Sequence, residues 1–259
     1  MYRSRVIPCL LLHEGGLVKT IKFSNPRYIG DPINTVRIFN EKEVDELLIF
    51  DIDAAVKNRP PRVGILEEIV GEAFMPIGYG GGVTSLAQMY QLFRAGVEKI
   101  SLSSAALKNP TLIKEASKEF GSQAVVVTLD LKKKSRFRQG YTLTIRNASQ
   151  QIPGDPIEVA RQMADLGAGE LLLNFVDRDG TMQGYDLAYI HDMTEHLQIP
   201  VIALGGAGSL QDISDVIKQT GVSAAAVGSL FVYHGKRNAV LINYPSQDEL
   251  AALLEETYP

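Results

Sequence analysis

Eight short apolar runs alternate with longer amphipathic stretches, and the second half of the chain echoes the first. Together these predict an α/β chain folded as a single (βα)8 TIM barrel with a two-fold half-barrel repeat. The runs are residues 6–12, 46–52, 76–79, 99–102, 124–129, 170–175, 201–204 and 224–227. Most are nearly continuous in apolar residues, as expected of parallel strands covered on both faces. The echo is specific. Glu46-Leu47-Leu48-Ile49-Phe50-Asp51-Ile52-Asp53 returns 124 residues later as Glu170-Leu171-Leu172-Leu173-Asn174-Phe175-Val176-Asp177. Gly80-Gly81-Gly82 returns as Gly205-Gly206-Ala207-Gly208, and Gly96-Val97 as Gly221-Val222. Residues 6–12 match 125–131, which sets Leu11 opposite Asp130. The expectation is one body over residues 1–259, with half-barrels at about 1–120 and 121–240 and a final helix at about 246–257. An open doubly wound sheet would need a topological switch point, and the repeat gives no sign of one.

The helices between the runs have readable starts. Asn109-Pro110 offers a cap followed by proline at the first helical position. Asp155-Pro156-Ile157-Glu158 adds a glutamate at the capping-box position, and Ser246-Gln247-Asp248-Glu249 opens the last helix in the same way. Two long polar segments, 19–32 and 132–154, follow the first and fifth runs and read as extended loops on the active face, a lid and its counterpart.

The bulk properties narrow the function. A 259-residue chain that is 45% hydrophobic suits one compact body with a large core. A net charge of −4 leaves no basic surface for duplex nucleic acid, although an anionic ligand can still meet a local positive site. Cys9 is the only cysteine, so no intramolecular disulfide forms and a reducing, cytoplasmic setting is expected. No run approaches the ~20 apolar residues that span a bilayer, so no membrane role is expected. Residues 6–12, broken by Pro8 and lacking a small-residue cleavage site, read as a first strand rather than a signal peptide.

The paired glycine clusters each follow a strand and precede a helix, where backbone N–H groups can approach an anion closely. Barrels commonly hold phosphate in the loops after strands seven and eight, here Gly205–Gly208 and Gly228-Ser229. Their first-half equivalents are Gly81-Gly82 and Ser103-Ser104, so two phosphate sites face each other across one mouth. Asp51, Asp53, Asp130, Asp177 and Asp179 stand at strand ends, where barrel catalysts collect. Asp130 is the carboxylate expected to transfer protons. Asp53 and Asp177 are expected to cap loops or to pair with Lys19 or Arg178. His13, His191, His196 and His234 lack metal-ligand spacing and read as ordinary surface or loop residues; neither a metal nor a cofactor is expected.

Five ordered motifs carry a family resemblance: Gly15-Gly16-Leu17-Val18-Lys19, Gly80-Gly81-Gly82, Gly121-Ser122-Gln123-Ala124-Val125-Val126-Val127, Asp177-Arg178-Asp179-Gly180-Thr181 and Gly205-Gly206-Ala207-Gly208. From about Arg5 to Phe231 the chain resembles the cyclase subunit of imidazole glycerol phosphate synthase. That family is a duplicated half-barrel that takes ammonia from a partner glutaminase to cleave and cyclise a bis-phosphorylated ribulose intermediate of histidine synthesis. The resemblance implies a catalytic base at Asp130, an active-site lysine at Lys19 and supporting carboxylates at Asp51 and Asp179. It implies phosphate contacts at Gly82, Ser104, Gly180, Gly206 and Ser229. It also implies a polar ring gating ammonia, made of Arg5, Glu46, Lys99 and Glu170, with the glutaminase docked at that N-terminal barrel face.

The departures sit in the pocket. Leu11 occupies the position of the family's general acid, while Ser103 replaces an asparagine, Asn174 a threonine and Leu204 a serine. This pattern, together with the tail Leu230-Phe231-Val232-Tyr233 and Val240-Leu241-Ile242-Asn243-Tyr244-Pro245, resembles a paralogous branch associated with sugar amidation in bacterial surface glycans. In that branch the barrel works beside a glutaminase and a separate ATP-dependent amidotransferase, and ammonia reaches a nucleotide-linked sugar. Three functions remain open at this point. They are a cyclase-like subunit recruited to glycan amidation, the histidine-pathway cyclase-lyase with another acid such as Glu14 standing in for position 11, and a non-catalytic ammonia conduit or scaffold.

Overall fold

The computed structural model describes residues 4–135, 140–235 and 237–255. Its first half runs β1 (Arg5–His13), β2 (Gly16–Ile21), β3 (Ser24–Gly30), α1 (Pro32–Glu41), β4 (Leu47–Asp51), α2 (Val63–Glu72), β5 (Ile77–Gly80), α3 (Leu86–Arg94), β6 (Lys99–Leu102), α4 (Ser104–Lys108) and α5 (Thr111–Phe120). The second half runs β7 (Val125–Lys133), β8 (Tyr141–Ile145), β9 (Gln150–Ile152), α6 (Pro156–Asp165), β10 (Glu170–Phe175), α7 (Leu187–Glu195), β11 (Val201–Leu204), α8 (Leu210–Thr220) and β12 (Ala224–Val227). A tail of β13 (Tyr233–His234), β14 (Ala239–Val240) and α9 (Gln247–Glu255) follows.

Eight strands pair in parallel in the order β1, β4, β5, β6, β7, β10, β11 and β12, and β12 returns to β1 through Arg5 opposite Ala224. The sheet is therefore a closed (βα)8 barrel without an edge. Alternation along each strand sorts its residues. Ile7, Cys9, Leu48, Val126, Leu172, Ile202, Leu204, Ala224 and Ala226 fill the interior, with Phe50 packed against them. Their neighbours Val6, Leu10, Leu47, Ile49, Val127, Leu171, Leu173 and Ala203 face outward into the larger core under the helices. Residues 6–12 and 125–131 carry the same burial pattern position for position, with Leu11 and Asp130 as the less buried member of each.

The segments expected as loops are β-hairpins. β1 overshoots the barrel and turns at Glu14-Gly15 into β2, with His13 opposite Gly16; β2 turns at Lys22-Phe23 into β3, with Ile21 opposite Ser24. All four turn residues have positive φ (50°, 94°, 53° and 60°), the I′ arrangement that matches strand twist. Only one of these turns has the expected glycine, which is why the sequence looked like a loop. In the second half β7 continues to Lys133 and pairs antiparallel with β8, and β8 with β9. Residues 136–139 of that segment lie outside the described residues.

Each hairpin crosses the mouth to the other half. Lys22 N–H donates to Asp179 O (2.9 Å) on the loop after β10. Arg146 Nη1 donates to Asn58 Oδ1 (2.8 Å), Arg146 Nη2 to Val56 O (2.9 Å) and Asn147 Nδ2 to Ile52 O (3.0 Å), all on the loop after β4. The repeat thus extends from the strands to their crossings.

Helix starts follow the expected chemistry with one correction. Asp155 Oδ1 accepts from Ile157 N (2.9 Å) and Glu158 N (3.4 Å), and Ser246 and Glu249 cap reciprocally at 2.8 and 3.2 Å. Asn109 is not a helix N-cap. It ends α4, donating its N–H to Ala105 O, and α5 begins at Thr111 after Pro110. Residues 256–257 of the expected last helix lie outside the described residues. The tail closes against the first strand: Tyr244 Oη donates to Val6 O (2.8 Å) and its ring meets Phe231 edge-on at 5.0 Å.

Removing the α6 cap by Asp155→Ala should cost about 1 kcal/mol. Thermal unfolding should then show a Tm lower by about 2–4 °C. An unchanged Tm would mean that water replaces the cap at no cost.

Candidate active site

One cavity of about 500 Å³ occupies the C-terminal mouth of the barrel. Asp130, Lys19, Asp51 and Asp179 all line it, as do Gly82, Ser104, Gly180, Gly206 and Ser229. The structure therefore gathers into one space the four catalytic and five phosphate positions that the resemblance implies. Asp53 and Asp177 lie outside that lining.

Asp130 sits within β7, opposite Asn174 of β10, rather than at a strand end, because β7 runs on into its hairpin. Asn174 Nδ2 donates to Asp130 Oδ1 (2.9 Å), and Ser103 Oγ approaches Oδ2 at 3.5 Å. Burial pushes the Asp130 carboxyl up to about 7, outweighing the two donors, and the charge of Asp179 adds to the rise. No lysine or arginine pairs with Asp130 among the described residues. Leu11 and Leu204 line the same cavity, so part of its wall is apolar.

Lys19 is buried, at 5% exposure, and its Nζ donates to Cys9 O (2.5 Å). Burial lowers its pKa, against the pull of Cys9 and Asp179. Asp179 is held by the Thr20 hydroxyl (2.6 Å) and the Phe23 N–H (3.1 Å), both on Oδ2. Burial raises its pKa, against those two donors and Lys19. Asp51 Oδ1 accepts from Asp53 N (3.1 Å), Ala54 N (3.2 Å) and Arg59 Nη2 (2.8 Å), and Arg62 Nε approaches Oδ2 at 3.8 Å. Asp51 therefore organises its loop as well as lining the cavity. The inward Cys9 thiol is pushed up to about 11 by burial, which keeps it protonated and unreactive.

The glycine loops have steric reasons for their glycines. A Cβ on Gly82 (φ 71°) would come within 2.4 Å of Arg59 O, and one on Gly180 (φ 67°) within 2.0 Å of Thr20 O. Around the first of these loops the cavity lining includes Arg59, Lys108 and Arg146, which sequence reading passed over. Arg59 Nη1 is buried without an acceptor, which costs about 1–3 kcal/mol. The available signal was the basic pair in Asn58-Arg59-Pro60-Pro61-Arg62 directly after a strand.

Several expected pairings differ. Asp53 bonds His13 Nδ1 (2.7 Å) and Glu14 N (2.9 Å) and approaches Lys57 at 3.4 Å, so His13 has a partner rather than a plain surface role. Asp177 accepts from Lys133 N (2.6 Å), and Arg178 donates to Gly184 O (2.8 Å). Neither carboxylate pairs with Lys19 or Arg178, because the hairpin strands bring other donors closer. Glu14 is exposed on a turn beside Lys57 (3.3 Å) and does not line the cavity, so it cannot replace an acid at position 11.

At the opposite barrel end Arg5, Glu46, Lys99 and Glu170 form a closed ring. Arg5 donates to Glu46 and Glu170 at 2.6 Å each, and Lys99 to the same two carboxylates at 3.0 and 3.1 Å. Burial opposes the charge on Arg5, yet Glu170 and Glu46 hold its pKa above the usual value. Glu46 Oε1 is buried without a partner, so the ring is not fully satisfied from within. Between the ring and the mouth, Ser101 and Thr128 share a hydrogen bond of 2.6 Å and line the cavity.

Comparison with known proteins agrees with this geometry. Residues 5–238 match the family model described as histidine biosynthesis protein. A Pseudomonas aeruginosa protein provisionally named imidazole glycerol phosphate synthase subunit hisF2 is 48% identical over 250 residues, covering 96% of this chain and 99% of its own. A provisionally named subunit HisF from Leptospira interrogans is 46% identical over 98% of this chain and 99% of its own. Imidazole glycerol phosphate synthase subunit HisF of Alkaliphilus metalliredigens is 38% identical, over 90% of this chain and 92% of its own. The chain belongs to the histidine biosynthesis protein family, among the HisF-like cyclase subunits of imidazole glycerol phosphate synthase.

Proposed function

We propose that this barrel is an ammonia-accepting, phosphate-binding subunit that works with a glutaminase docked at the ring face. In this reading it has been recruited to the amidation of a nucleotide-linked sugar in surface polysaccharide synthesis. The observation that carries the proposal is the contrast between its two ends. The ring keeps both cations bonded to both carboxylates, while the mouth has Leu11 at the position equivalent to Asp130. The greater likeness to provisionally named subunits (48% and 46%) than to an unqualified subunit HisF (38%) supports a branch distinct from the histidine enzyme.

In this reading the glycine loops anchor an anionic substrate, Lys19 and Asp179 bound its far side, and Asp130 exchanges the proton. A carboxyl near 7 can serve as acid or base at neutral pH, which suits a mouth with only one such group. Ammonia entering through the ring would pass the Ser101–Thr128 pair, two residues before Asp130 on β7.

Four outcomes test these roles. Supplied with ammonium and the bis-phosphorylated ribulose substrate, the protein should form imidazole product ~10²–10⁴-fold more slowly than an authentic cyclase, as loss of a general acid does. Turnover at the full rate would establish the histidine enzyme instead. Leu11→Asp should raise that turnover; no gain would assign the deficit to Ser103, Asn174 and Leu204. With the glutaminase present, Lys99→Glu should abolish glutamine-dependent product and spare ammonium-dependent product, and equal loss of both would refute the gate.

Asp130→Asn should remove activity, whereas a pure conduit would keep it. The same variant carries a stability signature. A folded carboxyl near 7, above the ordinary 3.8, means that the folded state holds its proton more tightly than the unfolded chain does. Stability from that proton is full below about pH 4 and is lost as pH rises to about 7. Asp130→Asn should therefore raise the Tm more at pH 8 than at pH 5, and an equal shift at both would contradict the burial of a charged carboxylate.

A further inference from the structure

Three of the four cationic side chains that line the mouth are gathered at one end. The fourth, Lys19, donates from its ammonium to the Cys9 carbonyl and lies beside Gly228 of the opposite glycine loop. The other three surround the first-half glycine loop. Gly82 packs against the Arg59 carbonyl, Lys108 follows Ser104 by one turn of α4, and Arg146 reaches from its hairpin to the loop at Val56 and Asn58. Two of these charges are not cancelled in place. Arg146 donates to neutral acceptors, and Lys108 makes no ion pair among the described residues. Arg59 pairs with Asp51, which it shares with Arg62, and approaches Asp53 at 3.7 Å, but it keeps a buried Nη1 without an acceptor. Across the mouth, Gly180, Gly206 and Ser229 have Met182, Ala207 and a single cation of the cavity lining, Lys19, as neighbours.

We infer that the first-half end of the mouth is a diphosphate site, built for the diphosphate of a nucleoside-diphosphate sugar or a like diphosphate ester. The inference rests on reading this cavity as the substrate site. Two single phosphates at opposite ends of one sugar need no more than the backbone N–H groups of one glycine loop each. A diphosphate concentrates its charge on adjacent groups and calls for several cations together, with arginine's planar fork bridging its oxygens. The crowding of Arg59, Lys108 and Arg146 at one loop fits the second demand and leaves the opposite glycine loop for the less charged end of the ligand.

Calorimetric titration of the full chain with inorganic pyrophosphate, inorganic phosphate and fructose 1,6-bisphosphate tests this directly. Pyrophosphate should bind at least about tenfold more tightly than either of the others, a ratio well resolved by calorimetry. Arg59→Lys keeps an amine for Asp51 but removes the Nη1 donor, and Lys108→Gln removes a charge far from any ion pair. Each should weaken pyrophosphate about tenfold without moving the Tm. Equal affinities, tightest binding of the bisphosphate, or pyrophosphate affinity unmoved by both variants would overturn the inference. A pyrophosphate preference without sugar amidation would leave the site standing and remove only the proposed reaction.

Discussion

Closure of the parallel sheet between β12 and β1 is the constraint on which the rest of the molecule depends. Once the ring of eight strands is closed, every second side chain must point inward, and position along a strand becomes height in the barrel. Arg5, Glu46, Lys99 and Glu170, at the strand starts, are forced together at one end. Ile7, Leu48, Val126, Leu172 and Ile202 fill the middle, and Asp130 and Asn174 emerge side by side at the other end. Ring, plug and mouth are three heights of one alternation. A one-residue slip in any strand would invert them.

That geometry sets the electrostatics. The ring brings two cations to two carboxylates in a half-buried setting, where the desolvation of each is offset only because every charge meets two opposite ones. Asp130 has no such compensation. Its partners are an amide and a hydroxyl, its neighbours include Leu11 and Leu204, and burial therefore governs its proton. One end of the barrel pairs each charge with two opposite ones; the other keeps a carboxyl poised near neutrality.

Much of this was legible in the sequence because it follows from alternation and repetition. The eight strands, the closed class and the paired glycine loops derive from periodic signals that a barrel must preserve, whereas Lys19 and the supporting roles of Asp51 and Asp179 were legible only through the family resemblance. What escaped were features set by turns and by contacts between distant loops. Lys22-Phe23 lacks the Asn-Gly or Asp-Gly signature of a two-residue I′ turn, so β2 and β3 read as a loop. Arg146 lies 88 residues from Asn58, and no local pattern records that its hairpin crosses to the other half. Asn109 read as a start because a polar residue before proline is a common cap, yet its N–H was already committed to closing α4.

Asp130 is the mouth carboxyl that stands without a countercharge, bonded only to an amide and a hydroxyl among the described residues. Carbon-13 NMR titration of the Asp130 carboxyl in the intact protein measures this directly. A midpoint near 7 is predicted. A midpoint in the ordinary range near 3.8 would contradict it, showing that burial does not govern this proton and removing the basis for the role of Asp130.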